Sequence, residues 1–303
     1  MRTLLIFVIA LLGAQTVLAQ QLVRERRPAM GTTVSVLLYA PSSEAAAPHL
    51  EAAFAEIERV EQLLSDYRED SELSRLNRAT GPVTVDPEML RLLNRALGWA
   101  RQSGGAFDPT VGALMDSTDS PVVGWQHVSV DLLTREVSRL RDGLRLDAGA
   151  FGKGYALESA ATVLREAGVT SALLSMGGSS YRALGPPPGA RGWLIHVDDP
   201  TEGGTHATSV MLSQAGLSTS GNLERTHIMD PRTGQPATGC EQTTVIAPDA
   251  MDADILSTAL CVLGPDAGEQ MLGGLSTIRA WLIYAGTEHS EVRTIRWTSP
   301  SGS

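Results

Sequence analysis

The sequence predicts an α+β fold built mostly from antiparallel sheet with packed helices. Strand-like runs cluster and are separated by helical stretches, without the regular βαβ alternation that marks a parallel sheet. Composition is that of a globular chain, with 43% apolar, 19% charged and 5% aromatic residues among 303, enough for one large domain with a real core. Glycine and proline punctuation, 30 and 16 residues, breaks the chain at intervals that suit short strands and turns.

The elements follow in order. Residues 1–19 are a separate object: Met1-Arg2 gives a positive start, Leu4 to Leu12 is an almost unbroken apolar run, and Val17-Leu18-Ala19 offers small residues before a cleavage at Gln20. This reads as a secretory signal peptide, too short to span a membrane stably. No cysteine follows the run, which argues against a lipoprotein anchor. The mature part, 20–303, is therefore expected to be exported to the periplasm and not to be an integral membrane protein. Thr32 to Tyr39 reads as a strand, and Leu50, Phe54, Ile57, Val60, Leu63 and Leu64 trace one face of a helix over 49–64,. Asp86-Pro87 caps and opens a second helix through Leu90, Leu93 and Leu97, ended by Gly104-Gly105,. A third helix is expected from Gly154 to Glu166. SALLSM, WLIHVDD and TSVMLSQ then read as strands, with GPPPG (185–189) as a stiff surface loop,. The last third gives a strand at Thr243–Ala247, helices at Ala253–Leu263 and Pro265–Leu272, and strands at Ile278–Tyr284 and Val292–Trp297.

Charge and cysteines narrow the function. A formal charge of −10 disfavours a sequence-independent grip on nucleic acid or on an anionic membrane. Cys240 and Cys261 cannot build a cysteine-rich metal site; spacing leaves one bridge and two buried thiols equally open,.

Three segments carry chemistry. Of the 24 basic residues only Lys153 is lysine. It stands in LDAGAFGKGY between glycines at the start of a helix, where backbone N–H groups and a compact ammonium suit a phosphate. GKG does not satisfy the GxxxxGK[ST] phosphate loop. In THIMDPRTG (226–234), Asp230-Pro231 ends an extended stretch and Arg232-Thr233-Gly234 turns it, presenting His227, a group able to take a proton near neutral pH, together with Asp230,. In MDADILSTAL, Asp254 and Thr258 lie at i and i+4 on one helix face with Ser257 beside them, an oxygen set suited to Mg²⁺,. SGGAFDPTVG (103–112) and PAMGT (28–32) add glycine-flanked loops.

AMGT, SGGAFDPTVG, the LD-x-G-x-x-GKGYA stretch, LSTSG followed by HIMDPRTG, TTVIAP and DADILSTAL occur in one order. That order resembles the ApbE family, the FAD:protein FMN transferases, from about Met30 to Leu263. The resemblance implies a T-fold-like architecture and FAD as substrate, contacted by Met30, Tyr67, Ala106, Phe107, Asp108, Asp147, Lys153 and Ile228. It implies Mg²⁺ held by the backbone oxygen of Ala150 and by Asp254, Ser257 and Thr258. His227 would accept the proton of the incoming hydroxyl, with Asp230 its neighbour and Lys153 on the diphosphate. The spacing of Asp147, Ala150 and Lys153 by three suggests one turn presenting all of them. The family's acceptors are subunits of Na⁺-translocating quinone reductase or Rnf type. The same residues also leave room for an FAD pyrophosphatase giving FMN and AMP, and for a non-catalytic FAD-binding protein.

The chain departs from the family pattern in three places. Gly177-Gly178 are followed by Ser179-Ser180 where Asp or Asn is usual, GGIAKG becomes GAFGKG, and the stretch from Ser220 to His227 is short.

Overall fold

The computed structural model describes residues 20–115, 121–200, 206–221, 228–286 and 290–297. The leader 1–19 and His227 lie outside the described residues. The expected class is what the chain adopts. Eight strands form one sheet in the order Gln21–Ala29, Thr32–Ala40, Ala172–Met176, Ser180–Leu184, Gly216–Gly221, Gln242–Ala247, Arg279–Ala285 and Ser290–Ile295. Spatial order equals chain order and every neighbouring pair is antiparallel. The sheet is thus a meander interrupted by long insertions, which is why no βαβ pattern is visible in the sequence.

Period-two alternation decides what each face carries. Val36, Leu38, Leu174 and Met176 point to one side, where the helices Ser43–Leu64, Gly152–Glu166 and Ala250–Leu272 bring Leu50, Ile57, Leu157 and Ile255 against them. Leu37, Tyr39, Leu173, Tyr181, Leu217 and Ile246 point to the other side and pack on a hairpin, Trp193–Asp198 with His206–Leu212, through Trp193, Ile195, Val210 and Leu212. A one-residue slip of any central strand would exchange these two cores, so the register is strongly specified.

The helix predicted over 49–64 begins earlier, at Ser43, because Ser42 caps it by accepting the Ala45 N–H at 3.2 Å. Ala45, Ala46 and Ala47 carry the first turns, so the single bond lost at Pro48 is tolerated,. The helix Pro87–Gln102 forms as expected, with the Asp86 carboxylate accepting the Glu88 N–H. The two helices expected at 253–272 stack end to end in one run, Ala250–Leu272, broken at Gly264 (φ 75°), whose left-handed backbone favours glycine,. The sequence reading also passed over a small sheet of Val83–Thr84, Glu136–Arg139 and Val128–Asp131 and the short pair Met229–Asp230 with Gln235–Pro236, and three strands of the main sheet escaped it. Gln21–Ala29 is a charged edge strand, Ser180–Leu184 is short and polar, and Gly216–Gly221 contains the LSTSG motif. Among the described residues no helix is long and apolar enough to cross a membrane.

Candidate active site

The site is built where the helices Gly152–Glu166 and Ala250–Leu272 meet the centre of the sheet. The approach to the first helix is fixed from outside. Asn77 clamps Leu146, donating to its carbonyl at 2.8 Å and accepting its N–H at 2.9 Å. The Asp147 N–H reaches Pro109 O at 2.8 Å, tying the 106–110 loop to this segment. The Asp147 carboxylate folds back onto the Gly149 N–H, and the helix then starts at Gly152 without a side-chain cap. Its free N–H groups are met instead by the other helix: the Gly154 N–H donates to Asp254 Oδ2 at 2.6 Å. The two helix starts are so close that a Cβ on Gly154 would lie 2.2 Å from Ala250 O.

Asp254 is 4% exposed and its second oxygen is also engaged. Oδ1 accepts the hydroxyls of Ser180 at 3.0 Å and Ser218 at 2.5 Å, from adjacent strands. One turn further along the helix, the Ser220 hydroxyl lies 2.8 Å from Ser257 Oγ and 3.2 Å from Thr258 Oγ1. Two serines thus bond the carboxylate, and two more with a threonine lie level with the next turn of the same helix, an oxygen cluster around a single carboxylate,.

The opposite wall comes from the SGGAFDP loop. Phe107 packs edge-on against Phe151 at 6.3 Å between ring centroids. Asp108 is 5% exposed and accepts from the Thr110 N–H and hydroxyl and from the Trp125 N–H. Burial pushes its carboxyl above the ordinary range, against the lowering effect of those donors,.

These walls enclose a cavity of about 1070 Å³, at the upper end for small-molecule sites and large enough for a dinucleotide. Of the residues expected in the site, Tyr67, Ala106, Phe107, Asp108, Asp147, Ala150, Lys153, Ile228, Asp254 and Thr258 line it. Tyr67 is 93% exposed at the mouth, and Lys153 is half-buried. Asp147, Ala150 and Lys153 do share the cavity, although only Lys153 is helical; the other two stand on the loop before Gly152.

Three expected residues are not on the lining. Met30 sits under the helix start, its Cε 3.6 Å from where a Gly152 Cβ would be. Ser257 is fully buried behind Ser220 and donates to Asp254 O at 2.9 Å. Asp230 is paired with Arg232 through two bonds of 2.9 and 2.8 Å and also accepts the Arg232 N–H, so it shapes the turn that presents Pro231 to the cavity. The Arg232 guanidinium holds the Asp230 carboxyl below the usual carboxylate range.

Sequence reasoning noted Ser180 beside the paired glycines and Ser218 and Ser220 within LSTSG but gave none of them a role, because hydroxyls on short strands carry no periodic signal. It missed Asp66, Asp198, Asp199 and Glu241. With Asp108, Asp147 and Asp254 these make seven carboxylates among the described lining residues, beside Lys153 and His196, and Asp66 is paired with Arg145 at 3.5 Å. The choice left open for the cysteines is resolved: Cys240 and Cys261 are bonded, with Cα atoms 4.9 Å apart. The bridge packs with Ala106 and Ile228, directly behind the cavity wall.

The chain is thus an α+β meander with a dinucleotide-sized cavity, one lysine at a helix start and an oxygen-rich cluster beneath it. The chain belongs to the ApbE family, whose sequence model matches residues 30–282. It is 31% identical to a Treponema pallidum protein named FAD:protein FMN transferase, over 84% of this chain and 82% of that one. The Escherichia coli K12 protein of the same name is 28% identical over 70% of each chain. Among solved structures, the apo form of Pseudomonas stutzeri flavinyl transferase ApbE superimposes with a TM-score of 0.80 at 27% identity, covering 91% of this chain and 95% of that one. The ApbE protein of Thermotoga maritima gives 0.81 at 27% identity, covering 91% and 97%.

Proposed function

We propose that this chain is an FAD:protein FMN transferase that depends on Mg²⁺. The reading is supported first by one observation: Lys153, Asp254 and Thr258 converge on a single dinucleotide-sized cavity in a member of the ApbE family. In the reaction the hydroxyl oxygen of an acceptor threonine or serine attacks the FMN-side phosphorus of FAD. The new O–P bond leaves FMN as a phosphoester on the acceptor, and the bridging P–O bond breaks to release AMP.

Among the described residues the lining is rich in carboxylates and Lys153 is its one ammonium, so a diphosphate entering it gains from a further positive charge,. That imbalance, with a carboxylate beside hydroxyl oxygens, fits a divalent cation better than a purely organic site does. Asp254, Thr258 and the Ala150 carbonyl would hold the cation from the cavity, with Ser257 bracing Ser220 behind them. Bound there, Mg²⁺ supplies charge neutralisation to the phosphates. Lys153 supplies a second positive charge at the helix start, as a compact point charge where a guanidinium would present a planar fork. His227, on the segment between Gly221 and Ile228, is the proposed acceptor of the hydroxyl proton, since an alcohol needs a base within reach.

The proposed acceptors are exported or membrane-bound redox subunits of Na⁺-translocating quinone reductase or Rnf type, met in the periplasm after cleavage at Ala19. The Cys240–Cys261 bridge supports an oxidising compartment,. The test incubates the mature protein with FAD, Mg²⁺ and an acceptor domain, and follows in-gel flavin fluorescence. A labelled acceptor threonine supports transfer. FMN release with an unlabelled acceptor would replace it with hydrolysis, and FAD that stays bound and unchanged would replace it with storage. Asp254→Ala is expected to abolish Mg²⁺-dependent labelling, and retained labelling would remove the metal assignment.

A further inference from the structure

Asp254 is bonded more fully than a metal ligand needs to be, and unevenly between its two oxygens. Ser180 and Ser218 face each other in the register of adjacent strands, their hydroxyls 3.3 Å apart, and both are buried, at 1% and 2% exposure. Neither lines the cavity. Both hydroxyls donate to Oδ1, while Oδ2 accepts only the Gly154 N–H among the described residues. A carboxylate oxygen has two in-plane acceptor positions. Oδ1 is therefore filled and Oδ2 keeps one position. Burying two hydroxyls in a sheet is unfavourable unless they are bonded, and here their shared acceptor is this one oxygen.

We propose that Ser180 and Ser218 make Asp254 a one-oxygen ligand and so select Mg²⁺ over Ca²⁺; the inference rests on the metal-dependent transferase reading. Ca²⁺ takes six to eight oxygens and commonly grips both oxygens of a carboxylate, whereas Mg²⁺ requires a near-ideal octahedron and takes one. With Oδ1 closed off, two-oxygen ligation must first break two charge-assisted hydrogen bonds. Ser180 and Ser218 act through Asp254 and are positioning residues.

The experiment measures metal binding separately from turnover. Mn²⁺ is titrated into the mature protein, with and without ADP, and bound Mn²⁺ is read by electron paramagnetic resonance. It is then displaced by Mg²⁺ or Ca²⁺, in wild type and in Ser180→Ala, Ser218→Ala and the double variant. The expected result is displacement of Mn²⁺ from wild type at lower Mg²⁺ than Ca²⁺. The ratio should move toward Ca²⁺ by about tenfold in the double variant and by less in each single one. The single variants each remove one oxygen atom, so they keep the test open if the double variant does not fold. A ratio unchanged within twofold, in variants that melt like wild type, overturns the inference. So does loss of all Mn²⁺ binding from folded variants, which would make the hydroxyls necessary for any metal. Wild type that binds no Mn²⁺ under either condition overturns it as well. Wild type that shows the selectivity but never labels an acceptor sinks the transferase reading and leaves the selectivity standing.

Discussion

At the scale of single residues, Lys153 and Arg232 show how a charge acquires different work from its surroundings. Lys153 is half-buried on the cavity wall. Lys153→Ala is expected to lower the flavin-transfer rate by roughly 10²–10³, as loss of a donor aimed at developing phosphate charge commonly does. Lys153→Arg should restore little of it, because the guanidinium needs a planar fork rather than a point contact; single-turnover rates with saturating FAD would read both. Arg232 is instead spent on Asp230. The folded pKa of Asp230 is lowered, so its stabilising contribution is present above the unfolded value, about 3.9, and is lost as pH falls through the folded one,. Thermal melts of Arg232→Ala should therefore lie below wild type at neutral pH, by about 0.5 kcal/mol for a pair this exposed to solvent. The two curves should begin to approach as pH falls below about 4 and coincide only below the lowered pKa of Asp230,. A gap that persists at low pH would mean that Arg232 acts by packing and not through its charge.

At the scale of elements, the contact between two helix starts governs the site. Gly154 lets Gly152–Glu166 approach Ala250–Leu272 closely enough for its N–H to reach Asp254. Gly154→Ala places a methyl against a backbone carbonyl that has no side-chain freedom to give. An overpacking cost of about 1–3 kcal/mol is expected, with labelling activity lost even in the fraction that remains folded. Denaturant titration and acceptor labelling on the same preparation separate the two effects, and wild-type activity in the variant would show that the helices can part without disturbing Asp254. The long helices were legible because each carries an apolar face at helical spacing and recognisable ends. The strands Ser180–Leu184 and Gly216–Gly221 were not, since five residues of mixed character and six with Ser-Thr-Ser before a glycine look the same in a loop,. Those are the strands that bring Ser180, Ser218 and Ser220 to the carboxylate.

At the scale of the whole molecule, the Cys240–Cys261 bridge joins the start of one central strand to the helix that carries Asp254. It closes a span of 21 residues, for which chain entropy suggests about 3 kcal/mol. Melting the protein with and without a phosphine reductant, beside Cys240→Ser/Cys261→Ser, should show a comparable loss in the reduced and the mutated forms. Because Ala106 and Ile228 rest on the bridge, FAD affinity should fall along with stability, and an unaltered melt would mean that the hydrophobic packing around the two sulfurs suffices alone.

By itself the sequence determined the α+β class, the long helices, and ten of the residues that line the cavity. Each of those is written locally, in a hydrophobic period, a cap or a short ordered motif. Only the tertiary structure decided that Asp230 closes a turn, that Ser257 braces from behind, that the two cysteines are bonded, and that Asp254 is gripped by serines 36 and 74 residues away. Hydrogen bonds between distant strands depend on sheet register and on which face a side chain takes. Neither leaves a trace in the spacing of the residues that make them.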